Sequence, residues 1–183
     1  MDQSWFEKLR DWIPGPQSLL PADDAALAKT QQKLGITLPS DFVSLCRHYG
    51  EGQFCAREVF GLQLASPFTG EFVDEQEYLH EDHESYVDCG NETEITVYPH
   101  PGGLLPFAWF NAVHFTWKTE GAPEDWSIVV IWDYEVGGYN QYGMGCCEFL
   151  WKFLQRDIFV NPFRAPWDPK DVYFQGAHDP LRE

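Results

Sequence analysis

Between Glu58 and Trp117 the chain contains no lysine and no arginine, a stretch of 60 residues. In a chain of formal net charge −17, that gap argues against direct nucleic-acid binding, because phosphate backbones are held by Lys and Arg that displace counterions. The marks of catalysis are missing too. There is no GxSxG elbow, and Ser44 and Ser127 sit inside periodic segments where packing explains their neighbours. Gly102-Gly103 and Gly137-Gly138 stand outside any GxGxxG or GxxxxGK[ST] context, so no phosphate cradle is expected. In His80-Glu81-Asp82-His83-Glu84 the second histidine comes one residue too early for HExxH. Cys146 and Cys147 on a helix would point about 100° apart and make a poor chelating pair. No metal and no cofactor is therefore assigned. Five cysteines, an odd number without CxxC, exclude a disulfide framework, and most of them read as buried thiols. No apolar run approaches roughly 18 residues, and the first residues lack a basic segment leading into an apolar one, so the expectation is a soluble, cytoplasmic protein.

What the chain does have is aromatic and periodic. With 44% hydrophobic and 16% aromatic residues in 183, it can bury one sizeable core, and a single domain over residues 1–183 is expected. Trp5, Phe6, Leu9, Trp12 and Ile13 form a helical stripe ended by Pro14-Gly15-Pro16. A second helix runs from Asp23 to Leu34 and stops at Gly35, a residue free to take the left-handed conformation. A third begins at Pro39 or Ser40, carries Phe42, Val43, Leu45, Cys46 and Tyr49 on one face, and ends at Gly50 and Gly52. The last helix, Cys146 to Arg156, gathers Cys146, Phe149, Leu150, Phe153 and Leu154.

Strand signals fill the space between. Val59, Phe60, Leu62 and Leu64 read as extended chain, with Gly61 as a candidate bulge. Ile95 to Tyr98 is β-branched and aromatic, followed by the turn cluster Pro99 to Gly103. Val113 to Lys118 alternates, which predicts one buried and one wet face. Ser127 to Trp132 reads as a central strand covered on both faces, and Tyr139 to Tyr142 as a short strand. Residues 66–94 have too few apolar positions for a core strand, with Leu79, Tyr86 and Val87 as anchors. Prolines recur in residues 161–183, which predicts a tail wrapping the surface through Phe163, Trp167, Tyr173 and Phe174. Strand links too short for crossover helices give an α+β fold with a mostly antiparallel sheet, the helices at either end of the chain packed on it.

The short helix, Leu34-Gly35 and Leu38-Pro39 ahead of Asp41-Phe42, the next helix and then Tyr49-Gly50 and Gly52 to Phe54 resemble the SUKH superfamily. The likeness continues through Leu104 to Phe107, Phe115 to Trp117, Trp126 to Trp132 and Glu148 to Leu150, covering roughly residues 20 to 156. That superfamily includes yeast cell-wall-synthesis regulators and bacterial immunity proteins that block polymorphic toxins, many of them nucleases with basic clefts. The resemblance implies the same α+β fold and no catalysis.

Charge distribution suggests where such a protein would bind. Of the 11 carboxylates between Glu58 and Trp117, ten lie between Glu71 and Glu94: Glu71, Asp74, Glu75, Glu77, Glu81, Asp82, Glu84, Asp88, Glu92 and Glu94. Concentrated charge of one sign steers an opposite partner and speeds its association. The expectation is a non-catalytic immunity protein that binds a basic toxin domain, such as a nuclease, through these ten residues. The alternative from the same resemblance is a regulatory or scaffold module. A solvated acidic loop that only confers solubility would instead leave the interface elsewhere, near Trp109 and Phe110.

Overall fold

A computed structural model of the chain describes residues 3–56, 59–91, 93–133, 138–161, 163 and 166–180. Among them are five α-helices: α1 (Trp5–Trp12), α2 (Asp24–Leu34), α3 (Ser40–Tyr49), α4 (Glu71–Asp88) and α5 (Cys146–Leu154). Seven strands accompany them: β1 (Gly52–Ala56), β2 (Phe60–Leu64), β3 (Leu104–Phe110), β4 (Val113–Lys118), β5 (Ser127–Asp133), β6 (Gly138–Tyr142) and β7 (Val172–Gly176). They form one antiparallel sheet in the order β6-β5-β4-β3-β2-β1-β7. The fold is α+β, as the sequence predicts.

Local chemistry sets the helix ends. Ser4 and Glu7 close a reciprocal capping box on α1, and Asp23 accepts from Ala25 N at the start of α2. Gly35 ends α2 at φ 72°, a conformation glycine takes without a steric penalty. The start of α5 has only Gly145, which cannot cap, so Asp41 reaches over from α3 and accepts from Cys147 N at 2.9 Å. A Cβ at Gly145 would stand 3.2 Å from that carboxylate. Helices α3 and α5 are thereby joined by a hydrogen bond to a charged group.

One face of the sheet carries the main core. Phe42 packs edge-on to Trp117 at 4.8 Å, and Phe115 meets Phe149 and Phe153 from α5. Tyr49 stacks among Phe54 and Phe174 and donates its hydroxyl to Ile13 O at 2.8 Å, tying α1 to α3. Leu45, Leu150, Ile128 and Val130 join the same cluster, while Trp132 packs on it only partly buried. Phe42, Phe149 and Trp117 each lose essentially all solvent exposure.

Several expectations need correction. Residues 71–88 are helix rather than loop, with Phe72, Val73 and Leu79 buried and Val87 exposed. Ile95 to Tyr98 forms no strand; only a parallel bridge from Val97 to Leu104 holds it to the sheet, because it lies across the second face as a cover. Strand β4 is buried on both faces, its polar residues His114 and Thr116 included, since α4 and this segment lie over them. Gly61 is no bulge and pairs in register with Cys55. Strand β5 is covered on both faces but stands second from the edge, and residues 172–176 add β7 beside β1.

Candidate functional site

Helix α4 spans 18 residues, about 27 Å, and holds eight carboxylates with no lysine or arginine. Its inward stripe is Phe72, Gln76, Leu79, His83 and Tyr86, spaced four and three residues apart. Phe72 reaches the main core beside Phe42, and Leu79 joins a second cluster with Ile95, Val97, Leu104, Val129 and Ile131. The polar members bind backbone: Gln76 Nε2 donates to Tyr98 O at 3.1 Å, and His83 Nε2 meets Ile95 O at 2.9 Å. Carbonyls that a strand would have used are thus taken by helix side chains. Polar residues on the inward stripe concealed this helix from a hydrophobicity reading; the four-three spacing was the signal that could have found it.

The ten expected site residues divide by environment. Asp74, Glu77, Glu81, Asp82, Glu84, Asp88 and Glu94 are exposed. Glu77 pairs with Lys33 of α2 at 2.8 Å, and Glu84 lies 3.4 Å from His80. Glu75 turns inward and meets His114 of β4 at 3.1 Å, both side chains nearly buried. It is a structural clamp between helix and sheet. Glu71 is half-buried beside Gln63 of β2, and Glu92 lies outside the described residues. Of the nine described, six form an exposed acidic helix face, Glu94 is exposed beyond the helix, and two are aimed at the sheet.

The exposed charge is poorly arranged for helix stability. Glu77 and Glu81, and Glu84 and Asp88, are like-charged neighbours four residues apart, each pair mildly destabilising. The last turn holds no basic residue and ends at Asp88, against the negative end of the helix dipole. Burial pushes the Glu71 carboxyl above its usual 4.5, while the Ser66 backbone and Gln63 partly offset the shift.

Other chemistry is structural. Cys46, Cys146 and Cys147 are buried near Asp41, and burial raises all three thiols well above 9.0, leaving them unreactive. Among the described residues no three His, Cys, Asp or Glu side chains converge to hold a metal ion. No helix among them is long and apolar enough to cross a membrane.

The class these features define is an α+β domain whose seven-stranded antiparallel sheet carries helices on one face and a single acidic helix on the other. A family model described as SMI1-KNR4 cell-wall, SUKH_6, matches residues 24–150, from the start of α2 into α5. The chain belongs to this SUKH family. No curated protein and no solved structure matches it.

Proposed function

We propose that this chain is a non-catalytic cytoplasmic immunity protein that binds and neutralises a basic toxin domain through the acidic face of α4. The observation that carries the reading is the helix itself, with eight carboxylates, no lysine or arginine, and an acidic last turn placed against its own stability. Charge kept at a folding cost fits selection for a partner. A basic cleft, such as one built for nucleic-acid phosphates, is the complement to such a surface.

A second reading has its own support in the cell-wall description of the family model. In it the same acidic face docks a host protein, and the chain is a regulatory module.

Coexpression separates the two. The reading frame beside this gene is expressed alone and together with this chain, and colony survival is counted. Immunity predicts that a small basic product kills alone and is harmless when this chain is present. A harmless neighbour, or killing that this chain does not relieve, contradicts the immunity reading.

A further inference from the structure

The second face of the sheet is only half covered. One cross-strand row passes from Gln175 through Gln53, Gln63 and Trp109 to His114, Ile131 and Tyr139. Helix α4 and residues 95–98 close over its His114 and Ile131 end. Towards the other end, Gln53, Gln63 and Trp109 line an open trough of about 760 Å3 with Glu71 and Tyr173. A neighbouring hollow of about 600 Å3 shares Gln63, Glu71 and Trp109 and climbs onto α4 at Asp74, Glu75 and Tyr78. The trough and the acidic helix are therefore one continuous surface. Among the described residues no lysine or arginine lines either part.

The trough carries a carboxylate and no cation among the described residues. Glu71 accepts from Gln63 at 3.3 Å and from the Ser66 backbone, but its half-buried charge meets no lysine or arginine among the lining residues. A carboxylate drawn part-way out of water with no cation beside it is costly. Gln53 lies flat over Gly61, where a Cβ would stand 2.4 Å from the Gln53 Oε1 atom. Glycine at that position leaves the amide room against the sheet. Trp109, partly exposed, adds an aromatic ring.

We propose that this trough receives an arginine presented by a loop of the basic partner protein, which rests on the reading that the chain binds such a partner. The guanidinium stacks on Trp109 and donates to the Glu71 carboxylate and to Gln53 Oε1. Arginine fits better than lysine because its planar fork stacks on a ring while several fixed N–H groups reach a carboxylate and an amide together. The acidic face of α4 then gathers the partner, and the trough fixes its register.

The test uses the peptide acetyl-Gly-Arg-Gly-Arg-Gly-amide, with lysine and glutamate counterparts, titrated into the 15N-labelled full chain. The Trp109 indole resonance is assigned by its loss in Trp109→Phe. The arginine peptide is expected to shift that resonance more than the lysine peptide does, and the glutamate peptide not at all. Glu71→Gln should weaken the arginine response by about tenfold or more, the scale of one lost charge-assisted hydrogen bond. An unmoved indole, or one moved equally in Glu71→Gln, overturns the trough. Shifts confined to the outer amides of α4 overturn it while leaving the acidic-helix reading intact, and survival in the coexpression assay judges immunity separately.

Discussion

Glu71 shows at the scale of one residue how the proposed site opposes stability. Its carboxyl is held above 4.5 by burial, so the folded chain keeps this proton more tightly than the unfolded chain does. As pH rises through 4.5 towards the raised folded value, the unfolded chain ionises first and stability falls; above that value the loss is complete. Glu71→Gln should therefore raise the melting temperature at pH 7, with the gain vanishing below pH 4.5. Melting curves at the two pH values check this, and a lower melting temperature at pH 7 would mean that the carboxylate is a structural partner instead. Phe42 belongs to the opposite kind of residue. It touches Phe72, Phe107 and Trp117 with no solvent exposure, and Phe42→Ala should cost about 3 to 5 kcal/mol in chemical denaturation. A cost within about 1 kcal/mol of zero would displace it from the centre of the core.

At the scale of the element, α4 can lose charge without losing its fold. Glu81, Asp82 and Asp88 are exposed, Asp88 lies in the last turn, where a cation favours the helix dipole, and lysine at 81 and 88 would face Glu77 and Glu84 four residues before. Replacing all three by lysine should leave the melting temperature unchanged or higher, while protection in coexpression is lost. Full protection by that triple variant would remove the outer face of α4 from the interface. This helix is also where sequence and structure part most clearly. Helices α1, α2, α3 and α5 were legible because apolar stripes and stop residues such as Gly35 coincide. Helix α4 was not, because Gln76 and His83 occupy inward positions and satisfy themselves on Tyr98 and Ile95 carbonyls. The buried side of β4 was hidden for the same reason, with Thr116 bonded to Val129 O at 2.8 Å and His114 to Glu75. Acidic candidates were legible from composition alone. What composition could not convey is that Glu75 is spent inside and that Trp109, read as belonging to a rival interface, shares a trough with Glu71.

On the scale of the whole molecule, charge is distributed to act at a distance. Nearly two thirds of the net −17 falls between Glu58 and Trp117, and α4 presents much of it on the sheet face away from α1, α3 and α5. A field of that kind acts on encounter more than on the lifetime of the complex, and salt screens it over about 10 Å at 0.1 M. Stopped-flow association with the basic domain that coexpression identifies is therefore the most direct measurement. Between about 0.05 and 0.5 M salt the association rate should fall roughly tenfold or more while dissociation changes little. The triple-lysine variant should associate slowly at every salt and lose most of that slope. An association rate indifferent to salt, and equal in the wild type and the variant, would contradict capture by the acidic helix.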